Sequence, residues 1–260
     1  MSANGFAAIP LWWWTTLAAM LGLAVGSFWT VVVWRWPRGE SVVSPRSHCT
    51  GCDRTLHTRE LIPVGSWLWQ RGTCQGCGSR IHWRYPAIEA STALLAAAAI
   101  AHFGPTLTGV AAALLGMVIV PVVAIDLEHQ LIPDVIVLPA AAIGLLLGVM
   151  AHPGRWWVPV AASVGAGGFL FVIWVLFPGG MGLGDAKFAL LLGGVLGLSV
   201  IPAMGVAFGA GALLGVVLIA RHGSSARKMA VPFGPFLAAG ALVGLLWGPA
   251  IVSWYTNRLS

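Results

Sequence analysis

Apolar runs about as long as a bilayer is thick alternate along this chain with short polar breaks, and that alternation restricts what it can fold into. Runs at 11–34, 87–103, 107–125, 135–151, 156–177, 186–198, 201–220 and 233–254 approach the roughly 20 mostly apolar residues that a spanning helix needs. The sixth is short. Only 8% of the residues are charged and the mean hydropathy is +0.87, against about 25% charge in ordinary soluble domains. The expected fold class is an all-α polytopic membrane protein of about eight transmembrane helices.

One polar stretch interrupts the pattern. Eight of the fourteen basic residues (Arg35, Arg38, Arg46, Arg54, Arg59, Arg71, Arg80 and Arg84) fall in it, directly after the first run, and basic loops of this kind mark the cytoplasmic side. Threading the chain from there places Lys187, Arg221, Arg227 and Lys228 on the same side and only Arg155 and Arg258 opposite. The net charge of +6 therefore reflects topology and an affinity for the bilayer, and no nucleic-acid partner is expected. The N-terminus has neither a basic start nor a small-residue cleavage site, so the first run reads as a retained helix. The expected division is a first transmembrane helix at 1–35, a cytoplasmic insertion at 36–85 and a membrane domain at 86–260.

The insertion carries all four cysteines, as Cys49-x-x-Cys52 and Cys74-x-x-Cys77 with 21 residues between the pairs. In a reducing compartment disulfides are rare, and two such pairs can hold one Zn²⁺ tetrahedrally in a closed, structural site. Gly51, Gly76 and Gly78 are expected to relieve tight turns around the ligands. A redox role for either pair is the alternative. His48 and His57 lie near in sequence but are not needed as ligands.

Among only eight acidic residues, Asp126, Asp134 and Asp185 sit at predicted ends of apolar runs. A carboxylate at membrane depth is costly, and by default it marks a wet cavity, a partner or a function. Two carboxylates brought together share a proton, one serving as base toward water and the other as acid toward a carbonyl, which is the chemistry of aspartyl peptide hydrolysis. Spacing alone does not choose between Asp126 and Asp134 as the partner of Asp185. Gly180, Gly182 and Gly184 precede Asp185 and suit a close approach to another helix or to an extended substrate. No Lys-Ser/Thr pair follows them, which argues against a phosphate loop. The glycines inside the runs (144, 148, 165, 167, 168, 193, 194, 209 and 211) read as helix-packing positions.

These motifs together resemble the type IV prepilin peptidases. The matching residues are Asp126 with Leu131-Ile132-Pro133-Asp134 and Gly182-Leu183-Gly184-Asp185-Ala186-Lys187. Others are Gly26-Ser27-Phe28 before Trp34-Arg35-Trp36-Pro37, Ile62-Pro63-Val64-Gly65-Ser66-Trp67-Leu68, Arg84-Tyr85-Pro86, and Pro232-Phe233-Gly234-Pro235-Phe236. The resemblance implies a catalytic pair at Asp126 and Asp185, with Asp134 a nearby acid outside it. Lys187 is expected either to lower the proton affinity of Asp185 or to meet anionic lipid.

The resemblance also implies a place and a substrate. These are the bacterial cytoplasmic (inner) membrane, with the site on its cytoplasmic side, and prepilin or pseudopilin precursors whose leaders are removed there. Members with the cysteine module also methylate the new N-terminus from S-adenosylmethionine, which implies Glu60 and Gly72 as cofactor-binding residues. The chain departs from the family's pattern here, with Glu60-Leu61-Ile62-Pro63 and Arg71-Gly72-Thr73-Cys74 in place of Glu-Asn-Ile-Pro and Arg-Gly-Lys/Arg-Cys. Two alternatives are an ion-coupled transporter using the same aspartates and a catalytically silent assembly protein that docks through its zinc module. A transporter expects acids near the midplane, and retention of both aspartates argues against silence.

Overall fold

A computed structural model of the chain describes residues 9–177, 179–223 and 231–259. Arg227 and Lys228, counted above among the same-side basic residues, lie outside the described residues. Nine α-helices are described: α1 Leu11–Arg35, α2 Gly65–Trp69, α3 Arg84–Phe103, α4 Leu107–His129, α5 Asp134–Ala151, α6 Trp157–Leu176, α7 Leu183–Leu196, α8 Val200–His222 and α9 Gly234–Leu259. Among the described residues there is no strand, only isolated bridges. The protein is an all-α, multi-pass membrane protein. Seven segments are long and apolar enough to cross a membrane when Leu183–His222 is taken as one run. Gly197, at φ +55°, breaks that run into the short α7 and the longer α8, so the short sixth run of the sequence is a helix of its own.

The chain forms two compact units, Met1–Ala124 and Ile125–Ser260. In the first, α1 and α3 lie against each other through faces of small residues. Gly22 and Gly26, one turn apart, face Ala93 and Glu89 so closely that an added Cβ would stand 2.6 and 2.7 Å from their Cα atoms. Small residues at i and i+4 let membrane helices approach to this distance. At the end of α1, the buried Arg35 donates to the carbonyls of Ser41 and Pro45 at 3.1 and 2.8 Å, which folds the following loop around a guanidinium. The carboxylate of Glu89, also buried, accepts the N–H of Val64 at 2.6 Å. Val64 sits at φ +57°, a genuine outlier for a β-branched residue, so α2 begins on a strained residue tied to α3.

In the second unit α7 is the centre. Fourteen residues rise only about 21 Å, short of a hydrocarbon core of roughly 30 Å. Nine of them are buried, because α5, α6 and α9 all pack on it. Gly193 meets the backbone of Ala162, Gly148 meets the carbonyl of Gly194, and Gly167 meets Leu190. Ser163 adds a hydrogen bond from its hydroxyl to the Leu190 carbonyl at 2.8 Å. The packing expectation holds for these glycines. At Gly165, Gly168 and Gly209 nothing lies within 4 Å of where a Cβ would stand, so packing inside this chain does not explain them.

This contrast is testable. Gly26→Val should lower stability by about 1–3 kcal/mol through overpacking, read as a lower Tm in detergent, whereas Gly165→Val should leave Tm unchanged. Equal effects would discard the close-contact account.

Candidate active site and metal centre

Asp126 lies in the last turns of α4 and Asp185 in the first turn of α7. Sequence placed Asp126 just after its helix, but α4 runs on to His129. Both carboxylates are buried, at 4% and 6% exposure. The turn after Asp126 and the turn before Asp185 touch, since Gly184 lies against Ile132.

Each is held by one backbone N–H. Asp185 Oδ2 accepts from Gly182 at 3.1 Å, while its own N–H donates to the Gly182 carbonyl, also at 3.1 Å, so the residue caps its own helix. Asp126 Oδ2 accepts from Gly234 at 2.8 Å. A hydrogen bond to a charged acceptor is worth about 1.5–3 kcal/mol, and each carboxylate has other lone pairs left over.

The glycines before Asp185 act by different means. A Cβ on Gly184 would lie 2.7 Å from Ile132 Cβ, so Gly184 lets the start of α7 pack directly on the Leu131-Ile132-Pro133 turn that follows Asp126. Gly182 supplies the donor described above. Gly234 does both: its N–H binds Asp126, and a Cβ there would stand 2.7 Å from Asp126 Oδ2. Phe233 fixes this loop by packing on Phe208 of α8 at 5.3 Å. Sequence reading flagged the Pro232–Phe236 motif without giving it a role. Only its position in the fold reveals Gly234 as part of the site.

Asp134 stands apart. As the first residue of α5, with its side chain half exposed, it accepts from Lys187 Nζ at 2.6 Å. Lys187 therefore has a protein partner, where sequence offered Asp185 or lipid.

In the other unit the four cysteines converge, with all Sγ atoms within 4.8 Å of one another. Cys49 and Cys77 are 3.8 Å apart, the edge of a tetrahedron about 2.3 Å from a central Zn²⁺. The donor set fits a metal. No other group of three or more such residues is found among the described residues, and His48 instead meets the Arg46 carbonyl.

The two pairs share one plan. In each, the first cysteine's Sγ accepts the N–H two residues on (Gly51, Gly76; both 3.4 Å), and the residue four on is left-handed (Asp53 φ +54°, Gly78 φ +73°). Gly78 relieves a turn as expected. Gly51 and Gly76 instead make room, since a Cβ would meet Ser79 Oγ and Arg54 Nε, each at 2.8 Å. The N–H groups of Gly76 and Cys77 hold the Cys74 thiol down to about 6, and the Ser79 hydroxyl and Gly51 N–H lower that of Cys49. These two thiols are drawn toward the thiolate, the ligand form, whereas against the Arg54 N–H the sulfurs of Cys77 and Cys49 push the Cys52 thiol up to about 11.

Glu60 and Gly72 belong to the same segment. Glu60, its side chain 7% exposed, takes both terminal nitrogens of Arg54 at 2.6 and 3.1 Å and the His57 N–H at 2.8 Å. The Arg54 guanidinium, followed by the His57 N–H, keeps its carboxyl below the usual range. Gly72, at φ +67°, lies with its Cα against the Trp67 ring, where a Cβ would be 3.0 Å from a ring carbon.

Comparison with known proteins gives the family. Residues 20–103 match the Bacterial Peptidase A24 N-terminal domain and residues 110–221 match the Type IV leader peptidase family. The chain is 36% identical to the prepilin leader peptidase/N-methyltransferase of Bacillus subtilis (strain 168), over 91% of this chain and 95% of that one. It is 32% identical to the protein of that name from Aeromonas salmonicida, over 95% and 96%, and 35% identical to the one from Pseudomonas putida, over 95% of each. No solved structure matches. Two buried carboxylates, one of them on a Gly-x-Gly-Asp turn, a four-cysteine cluster and relatives matching nearly end to end stand together, and the chain belongs to the Type IV leader peptidase family.

Proposed function

We propose that this protein is a membrane aspartyl endopeptidase that removes the leader peptide of type IV prepilins or pseudopilins and methylates the new N-terminus. The observation that carries the reading is the pair of buried carboxylates, each held among the described residues by one backbone N–H, on turns that meet where Gly184 lies against Ile132. Asp126 and Asp185 are the catalytic pair in this reading, sharing one proton. The ionised member takes a proton from water as its oxygen attacks the scissile carbonyl, and the protonated member gives its proton to the carbonyl oxygen. Collapse of the tetrahedral diol breaks the C–N bond: the leaving amine takes the proton that came from water off the first carboxyl, and the other carboxylate takes one from a diol hydroxyl, which restores the pair.

The distribution of basic residues supports placing the insertion (36–85) and the acids on the cytoplasmic side of the bacterial inner membrane, where a leader can reach the site while its helix stays in lipid. No finding favours the ion-coupled transporter: Asp126, Asp134 and Asp185 all sit at helix ends. Cys49, Cys52, Cys74 and Cys77 would hold a structural Zn²⁺, which braces the insertion. S-adenosylmethionine would supply the methyl group. Glu60 and Gly72 are its proposed contacts, and Glu60 already holds one cation, Arg54, which a sulfonium would have to displace.

Asp126→Asn and Asp185→Asn should each abolish cleavage of a co-expressed prepilin while the protein still inserts. Mass spectrometry of the wild-type product should show a methylated N-terminus. Near-normal processing by either variant would overturn the dyad, and an unmethylated product the second activity. Gly234→Ala pushes a methyl against Asp126, so cleavage should fall about 10–100-fold, the loss of one hydrogen bond to a charged group, with Gly165→Ala near normal in the same assay. The purified protein should hold about one Zn²⁺ per chain, lost in Cys49→Ser and Cys74→Ser; a metal-free wild type would refute the zinc reading.

A further inference from the structure

Arg54 stands where the two cysteine turns and Glu60 meet. Because the turns share one plan, Arg54 and Ser79 occupy equivalent positions, five residues after Cys49 and Cys74. Each lies over the other turn's glycine, Ser79 over Gly51 and Arg54 over Gly76. Ser79 stops at the sulfurs, its hydroxyl 3.4 Å from Cys49 Sγ and 3.1 Å from Cys77 Sγ. The longer Arg54 side chain carries past them. Its Nη2 lies 4.0 Å from Cys74 Sγ and 2.6 Å from Glu60 Oε1, and its Nη1 reaches Glu60 Oε2 at 3.1 Å. Its Nε is buried without a hydrogen-bond partner among the described residues, so the guanidinium is held by the carboxylate on one side and the sulfur cluster on the other.

We propose that Arg54 is a positioning residue that ties Glu60 to the metal-loaded cysteine cluster, so that the carboxylate is latched while metal is bound and freed when metal is lost. Four thiolates around one divalent cation leave two net negative charges beside the guanidinium. When the metal leaves, the link that joins the two cysteine turns through their sulfurs is lost. The tie that brings Gly76 under Arg54 goes with it. The same backbone carries the effect onward, because the Cys49 N–H donates to the Arg54 carbonyl at 2.9 Å, so the latch is part of the turn that presents Cys49. The inference rests on the metal reading of the cysteines and extends the role proposed for Glu60: access of a cationic methyl donor to that carboxylate depends on the state of the metal site.

The test labels carboxylates of the full-length protein in detergent with a carbodiimide and glycine ethyl ester, quantifies Glu60 by peptide mass spectrometry, and measures zinc in every sample. Glu60 should be protected in the zinc-loaded wild type. It should label about 10–100-fold more, the scale of one lost hydrogen bond to a charged group, after zinc is stripped by chelation, and reloading should restore protection. Zinc-loaded Arg54→Gln should label like the stripped wild type, and reloading should not protect it. Arg54→Lys, which keeps the charge and loses the planar fork, should expose Glu60 with zinc retained. Stripped wild type that stays protected would overturn the coupling, and protected, zinc-loaded Arg54→Gln and Arg54→Lys would overturn the latch. A wild type that takes up no zinc at all would instead overturn the metal reading on which both rest.

Discussion

The close approach of helices onto α7 is the constraint on which the rest of the second unit depends. A fourteen-residue helix is too short to be positioned by spanning the bilayer, so its neighbours position it. They can do so only where side chains are absent, at Gly148, Gly167, Gly193 and Gly194, and at Gly184 against Ile132. Interiors packed at this density transmit displacements and do not absorb them. The placement of Asp185 beside Asp126 is therefore a property of the glycine contacts as much as of the aspartates.

The first unit solves a different problem by different means. Its polar segment has little apolar surface to bury, and instead of a core it uses localised polar anchors. Arg35 gathers loop carbonyls, Glu89 holds the strained Val64, and four sulfurs converge from two similar turns. Arg35 and Glu89 are buried with their partners in place, which is the condition for burying such groups at all.

Much of this was legible in the sequence, for identifiable reasons. The apolar runs, the Cys-x-x-Cys pairs and the isolated acids could be read because each depends on residue type and local spacing. What could not be read depends on contacts between distant positions. Nothing in Pro232-Phe233-Gly234 reports that its N–H meets Asp126 more than a hundred residues away. The partner of Lys187 is Asp134, 53 residues earlier, and neither reading from sequence considered it. The role of Gly76 was misread for the same reason, since what it accommodates is Arg54 of the other turn.

Both carboxylates take their fixed hydrogen bond from the main chain, and a main-chain donor has no side chain to delete. Substitution can disturb it only indirectly, by bulk or by tilting the peptide plane, so a survey that exchanges side chains would assign these glycines to packing alone. The electrostatic share of their work is separable only by replacing the amide itself, as an ester does, leaving shape and chain direction almost as they were. Much of the site's polar chemistry thus lies in peptide units that the genetic code cannot edit.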